Sequence, residues 1–386
     1  MITYQRLAWK LDPIKTPDEE DREDYLFAAR HCVLEEVRRR AWRMVEIAEI
    51  ASGLSASAAW EKFREVARAL AVEGRCPADP TSVRLAVQLT RWTISQSKPR
   101  ALGYAELAWE ACESLNLDPW TASNLRPVTL SQLAKCVEAI GGNGEFLIRS
   151  AVAELRTSTG KKERAETLFL VAAVLRLKDR QRAIEAAKES AALFEGLGQN
   201  HLQGRVLLLL ADLIEEAGRT DLSEAIAVAR LGLERIDWLQ DPNLYQLGLL
   251  NLADFEVMAG DLEGAAEVLG SIQAFRVPTW ELQRRWMNAR FQLLAGSLAS
   301  GYGELSDVAV GFAELGRIEL RYSVMADMAV ALKLLGKTSA AKETAALVRA
   351  FFRELPDPPA YVSIMEQIEA EREVDLTTLR SMWRAS

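Results

Sequence analysis

The stretch LFEGLGQNHLQGRVLLLLADLIEEAG, residues 193–218, decides the fold because its pattern returns in GFAELGRIELRYSVMADMAVALKLLG, residues 311–336. Identities at a single offset of 118 residues include Phe194 with Phe312, Leu197 with Leu315, Gly198 with Gly316, Ala211 with Ala329, and Gly218 with Gly336. Self-similarity at a fixed spacing is typical of stacked helical repeats. The sequence therefore predicts a repeat scaffold before it predicts any chemistry.

The composition favours helices throughout. The 386 residues are 49% hydrophobic and 26% charged, which is an ordinary balance for a globular protein. Ala, Leu, Glu and Arg fill most of the helix-like stretches, whereas β-branched runs and Asn-Gly hairpin turns are almost absent. We expect one array rather than several domains, because each repeat of such an array contacts only its neighbours.

Two of the predicted helix pairs carry a definite pattern of large and small residues. The positions are Leu249, Leu252, Ala253, Gly260, Ala265 and Leu269, and then Met325, Met328, Ala329, Leu332, Gly336, Ala341 and Ala345. Small residues let two helices approach, and large residues fill the seam between them. On these residues the chain resembles the tetratricopeptide repeat (TPR) family. Its period is nearer ~39 than ~34 residues, as in the variants found in sensor domains of bacterial signalling ATPases and transcription activators.

The resemblance implies an all-α fold, a right-handed α-solenoid of helix-turn-helix (TPR-like) repeats with atypical helical caps. We expect an N-terminal helical cap at 1–80, the repeat array at 81–353 and capping helices at 354–386, because terminal repeats must cover an exposed hydrophobic edge. Two local expectations concern the array. The unit between Trp286 and Phe312 is predicted to be degenerate, and one helix is predicted to begin at Val128, directly after Pro127.

Few residues suggest catalysis. His31 and His201 are the only histidines, and neither lies in a pattern that completes a nucleophilic triad or a metal site. The segment STGK at 158–161 lacks the upstream glycine of a phosphate-binding loop, and the four cysteines include no C-x-x-C pair. We therefore expect no enzyme activity, no catalytic residue, no metal and no cofactor.

The net charge of −8 disfavours binding of a polyphosphate over the whole surface. We interpret the one basic run, at Arg38, Arg39, Arg40 and Arg43, as a solvated helix face. No stretch approaches the ~18 apolar residues of a membrane span, and the first residues lack an apolar signal segment. We expect a cytoplasmic protein that binds a protein or peptide partner, but neither nucleic acid nor membrane.

The family resemblance also implies a concave groove lined by the first helix of each pair. Carried onto this chain, the lining positions give the candidate partner-binding residues Arg176, Arg205, Asp212, Glu215, Leu250, Asp254, Val257, Met258 and Lys333. Asp212 and Asp254 hold the same position in two units, and two interpretations stay open. They present two carboxylates to a partner, or each is paired with an Arg or Lys of an adjacent unit.

The function predicted on this basis is an intracellular protein-interaction scaffold with a regulatory role, which binds a partner segment in the groove. Aspartates interleaved with Leu250, Val257 and Met258 suit an amphipathic or basic peptide. The alternative is a sensor module that closes around a small peptide or metabolite and so changes its affinity for a regulator.

Overall fold

The computed structural model describes residues 56–94, 97–115, 119–156, 160–217, 222–238, 241–275, 278–353, 362–376, 380 and 383. Sixteen α-helices and no strand lie within these ranges, so the prediction of an all-α fold is confirmed. The predicted first helix, with the arginine run and His31, lies outside the described residues.

The helices follow one another as hairpin pairs joined by short turns. In chain order they are α1 Ala56–Arg68, α2 Pro80–Thr93, α3 Lys98–Ser114, α4 Pro119–Ala139, α5 Glu145–Glu154, α6 Lys161–Leu175, α7 Arg180–Gly196, α8 Asn200–Glu216, α9 Ser223–Arg235, α10 Pro242–Ala259, α11 Leu262–Ser271, α12 Pro278–Leu294, α13 Leu298–Glu314, α14 Ile318–Leu334, α15 Thr338–Arg353 and α16 Val362–Glu369. A π-helical turn, Ala69–Glu73, extends α1.

Contacts divide the described residues into two compact units. The first holds the residues up to Leu213 together with Glu234–Pro242, and the second holds Ile214–Leu233 and the residues from Asn243 onward. In the first unit α4 packs against α2, α3, α5 and α6. In the second unit each helix from α12 to α16 packs against the next, and α14 also contacts α12 and α16. The cap and array boundaries at residues 80 and 353 stay predictions.

The two self-similar stretches form the same turn. Phe194 and Phe312 are buried, with 2% and 0% of their surface exposed, and Gly198 and Gly316 have φ of +67° and +66°. In each turn the glycine N–H donates to the carbonyl three residues back, and the following N–H donates to the phenylalanine carbonyl, at 2.8 to 3.0 Å. A left-handed glycine thus ends the helix and bonds its last carbonyls. The sequence offset reflects a repeated three-dimensional turn.

We predict that Gly198→Ala and Gly316→Ala each lower the free energy of unfolding by about 1 kcal/mol, because an L side chain is strained at a left-handed φ. A Cβ at either glycine meets no atom within 4 Å, so the conformational cost alone is measured. Gly196→Ala is the matched control, since Gly196 lies in α7 and its Cβ also has free space. Urea unfolding checks the prediction, and equal stability of the Gly196 and Gly198 variants would contradict it.

The unit between residues 286 and 312 is degenerate in its sequence pattern, but in the structure it is a regular hairpin. Its helices α12 and α13 have 17 residues each. Gly301 comes five residues after the turn glycine Gly296, as Ala265 comes five residues after Gly260. A Cβ at Gly301 would lie 2.8 Å from the Leu293 side chain, so the two helices touch where the pattern requires a small residue. Gly301 thus stands at the position where the repeat pattern has alanine.

The prediction that a helix begins at Val128 is wrong, because α4 already begins at Pro119 and contains Pro127. An internal proline removes a backbone donor and usually ends a helix. Here Pro127 is buried among four packed helices. This packing keeps α4 continuous, and the hydroxyl of Ser131 donates to the Pro127 carbonyl at 2.8 Å.

Candidate functional site

In the first unit, the predicted partner-binding residues contact other residues of the chain. Arg176 Nη1 lies 3.6 Å from Asp212 Oδ2, so this aspartate is paired with the preceding hairpin, as the second interpretation has it. The guanidinium of Arg205 lies over the ring of Phe169, 6.0 Å from its centroid. Glu215, further along α8 and counted in the second unit, is half-buried. A role of these residues in partner binding stays a prediction.

Two half-buried basic side chains, His201 and Lys135, lie near Arg205. Burial and, secondly, the charge of Arg205 lower the pKa of His201 to about 4, although Asp241 and Asp237 act in the opposite direction. The Nδ1 atom of His201 is buried and has no hydrogen-bond partner among the described residues. Burial likewise lowers the pKa of Lys135 to about 8, with Arg205 and Arg91 acting in the same direction. At pH 7 the imidazole of His201 is therefore neutral.

We predict that acidification from pH 7 to pH 5 destabilises the wild type relative to His201→Gln by up to ~2 kcal/mol. The pKa of His201 is lower in the folded chain than in the unfolded chain, so its contribution to stability is full above about 6.5 and is lost toward 4. Urea unfolding of both proteins at the two pH values checks this. A wild-type-minus-variant difference that is the same at both pH values would contradict it.

In the second unit, five side chains form a cluster centred on Arg290 of α12, and three of them, Arg290, Asp327 and Trp383, are buried. The Nε atom of Arg290 donates to Asp327 Oδ2 at 2.8 Å, and its Nη1 lies 3.5 Å from Asp254 Oδ1. Two indoles donate to the same Asp327 carboxylate: Trp286 Nε1 to Oδ2 at 2.6 Å, and Trp383 Nε1 to Oδ1 at 2.7 Å. Asp327 is 1% exposed, so these donors replace the water that its charge would otherwise require.

The two indoles also enclose the guanidinium. The Cζ atom of Arg290 lies 4.5 Å from the ring centroid of Trp286 and 4.8 Å from that of Trp383. Cation–π contacts of a desolvated guanidinium contribute up to ~2 kcal/mol each. We call Trp286, Arg290 and Asp327 the Trp383 site, because together they bind the indole of Trp383, which is 3% exposed.

Together with Asp254, the Trp383 site carries an excess of negative charge. Asp254 and Asp327 share Arg290, so two carboxylates face one cation. Partial burial raises the pKa of Asp254, Arg290 lowers it, and the nearby charge of Asp327 raises it again. An additional cation beside Asp254 would therefore be favourable.

The helices explain how these side chains meet. Asp254 lies six residues before Gly260 and Arg290 lies six residues before Gly296, so they take equivalent places on α10 and α12. Ala289 and Ala326, beside Arg290 and Asp327 in the chain, are 0% and 1% exposed and let α12 and α14 approach.

A second contact brings the segment of Trp383 to the first helices. The described residues of this segment, Leu376, Arg380 and Trp383, are helical. In the sequence they are spaced by four and three residues, which is the spacing of one helix face. A Cβ on Gly260 would collide with Nη1 of Arg380, so the arginine side chain covers the turn after α10. We call residues 376–383 the Trp383 segment.

The other predicted partner-binding residues of the second unit that follow Asn243 do not belong to this cluster. Leu250, Val257 and Met258 are 7%, 0% and 2% exposed, so they pack inside the unit and do not line an open surface. Lys333 is half-buried at the end of α14. The reading of the sequence missed Trp286, Arg290, Asp327 and Trp383. Counting back six residues from each turn glycine would have found Arg290, but no local pattern indicates the other three.

We predict that Asp327→Ala lowers the free energy of unfolding by roughly 3–5 kcal/mol, because it leaves the buried Arg290 cation without its closest partner. Asp307→Ala is the control. It removes an Asp–Arg contact of 3.4 Å to Arg285, but Asp307 is 70% exposed, and such pairs contribute at most about 1 kcal/mol. Urea unfolding compares the two variants, and losses of equal size would contradict the prediction.

Two kinds of feature, a membrane-spanning helix and a metal-binding group, are absent from the described part of the chain. No helix there is long and apolar enough to cross a membrane. No group of three His, Cys, Asp or Glu side chains there is placed to hold a metal ion. Burial raises the pKa of the Cys76 and Cys112 thiols to about 12 and about 11.

Comparison with known proteins finds no matching family model and no matching curated protein. Solved structures of helical-repeat proteins are similar. A Rap protein complexed with competence and sporulation factor has 12% identity and a TM-score of 0.46, over 98% of this chain and 99% of that chain. A signal transduction ATPase with numerous domains and a tetratricopeptide repeat sensor, from Pyrococcus horikoshii, has 12% identity and a TM-score of 0.41.

That match covers 95% of this chain but 52% of the signalling ATPase, so the chain spans about half of its length. The human IFIT1 dimer with m7Gppp-AAAA has 14% identity and a TM-score of 0.37, over 86% of this chain and 84% of that chain. The tetratricopeptide-like fold is seen directly in this chain's own hairpins and turn glycines.

Proposed function

We propose that the chain is a protein-interaction scaffold that binds a helical segment of a partner protein or peptide on the first helices of its second unit. One observation supports this proposal: α12 and α14 already bind a segment of the chain itself. The guanidinium of Arg290 on α12 stacks on the indole of Trp383, and Asp327 on α14 accepts its N–H. Buried tryptophan and arginine side chains are the residues that most often dominate the binding energy of interfaces.

The role we propose is regulatory and cytoplasmic, and it includes no catalytic step. The imidazole of His201, which is neutral at pH 7 and whose Nδ1 has no hydrogen-bond partner among the described residues, fits this proposal. The exclusion of nucleic acid stays a prediction, which the experiments below test with an RNA probe.

A second candidate function is a sensor that closes around a small anionic peptide or metabolite. The observation that favours it lies in the first unit. Lys135 is half-buried near Arg205 and Arg91 and has no ion-pair partner among the described residues. An anion bound there would relieve the repulsion among these cations.

We expect random peptides selected on the immobilised chain to bind wild type and Asp307→Lys equally and to bind Asp254→Lys at least tenfold more weakly. The reversed charge at Asp254 faces Arg290 and repels a basic ligand, whereas Asp307 lies on a second helix and is exposed. Fluorescence anisotropy measures the affinities, and thermal melting shows that each variant is folded.

The selection is repeated on Trp383→Ala, in which the site is not filled by the chain's own indole. Failure to select any peptide on either protein would contradict the proposed function. Peptides whose affinity is the same for Asp254→Lys would contradict this site. For the sensor, a shift of the melting temperature by anionic metabolites or by RNA that is lost in Lys135→Met would favour the first unit instead.

A further inference from the structure

We propose that the Trp383 segment is an intramolecular ligand of the scaffold, and that the partner is a basic helical peptide whose tryptophan takes the place of Trp383. The inference rests on the proposed function and names both the chemistry of the partner and the step that regulates its binding. It concerns one set of residues, the Trp383 site with Asp254.

Trp383 is held by a hydrogen bond and a cation–π contact, as a bound ligand is, and not by apolar packing alone. Its indole donates to one oxygen of the Asp327 carboxylate, while Trp286 and Arg290 donate to the other. When the segment leaves, Oδ1 of Asp327 loses its donor and one face of Arg290 loses its ring. An indole N–H from another chain restores both contacts.

The segment is joined to the body of the unit in a way that permits exchange. The last packed helix, α16, ends at Glu369, and residues 372–375 are not helical. Glu371 has φ of 58° and is the one non-glycine residue with positive φ in the described part of the chain. The chain thus turns sharply after α16 and approaches the first helices through a short linker.

The charges of Asp254, Asp327 and Arg290 determine which tryptophan-containing peptides bind well. The Trp383 site with Asp254 holds two carboxylates and one guanidinium, so a cation near the incoming indole is favoured. The chain's own segment carries a basic residue, Arg380, three residues before Trp383, and its guanidinium lies against the turn at Gly260, six residues after Asp254. The partner therefore presents a basic residue one helical turn before its tryptophan, and an acidic residue there is disfavoured.

The tether makes the intramolecular ligand hard to displace. A short flexible linker holds its ligand at an effective concentration of roughly millimolar. A free peptide with the same contacts must compete with that concentration, so its apparent affinity for the wild type is reduced. Removing the indole of Trp383 removes the competitor and exposes the intrinsic affinity.

The test uses a fluorescein-labelled peptide of residues 374–386, VDLTTLRSMWRAS, and the full chain as wild type, Trp383→Ala and Trp238→Ala. We expect the Kd for Trp383→Ala to be at least tenfold lower than for the wild type. Trp238→Ala is the matched control, because Trp238 is 54% exposed and lies outside the site, and its Kd should equal that of the wild type. Peptides with Ala in place of Trp383 or of Arg380 should bind Trp383→Ala at least tenfold more weakly.

Equal affinity of the peptide for wild type and Trp383→Ala, or no binding to a folded Trp383→Ala, would overturn the inference. If Trp383→Ala does not fold alone, added peptide should restore its melting transition, and failure to do so would also overturn it. A wild-type dimer that Trp383→Ala converts to a monomer would show exchange of the segment between two copies instead. Selected peptides that bind wild type and Trp383→Ala alike would leave the proposed function standing while the inference fails.

Discussion

The carboxylate of Asp327 is the constraint on which the second unit depends. It is 1% exposed, and an unpaired charge buried to this degree costs several kcal/mol. Its three donors come from two different parts of the chain: Trp286 and Arg290 lie on α12, and Trp383 lies beyond α16. Satisfying one buried charge therefore fixes α12, α14 and the Trp383 segment in a single arrangement. The polar cluster specifies position here as apolar packing does elsewhere in the unit.

A second buried carboxylate in the same unit shows what a purely structural charge looks like. Glu256 is 0% exposed and is paired at 2.6 Å with Arg230, whose side chain is 54% exposed. Burial raises the pKa of Glu256, and its Oε2 has no hydrogen-bond partner among the described residues. Both partners belong to the helices of the hairpins themselves, α9 and α10. Asp327 differs because one of its donors is carried by a segment that joins the unit through a short linker, and this makes an exchangeable contact possible.

Local rules predicted the scaffold well and the site poorly. The pairing of Gly198 with Gly316 was visible in the sequence, because a left-handed C-cap depends on neighbours within a few residues and so repeats with the local pattern. Asp254 was found from the groove-lining position that the family resemblance implies. Its partner Arg290 was missed because glycine replaced the marker alanine at Gly301, and Trp383 was assigned to a capping helix. Trp383 and Asp327 lie 56 residues apart, and such long-range pairing leaves no periodic signal.

The tether gives the Trp383 site a property that an open groove lacks. An open groove binds any partner above its dissociation constant, whereas a site filled by its own segment responds only to a partner that exceeds the effective concentration of that segment. A partner with the same two contacts competes poorly. One that also pairs with Asp254, whose charge Arg290 only partly compensates, binds with an interaction that is favourable in this electrostatic setting. The excess carboxylate is thus the feature that lets a foreign segment outcompete the chain's own.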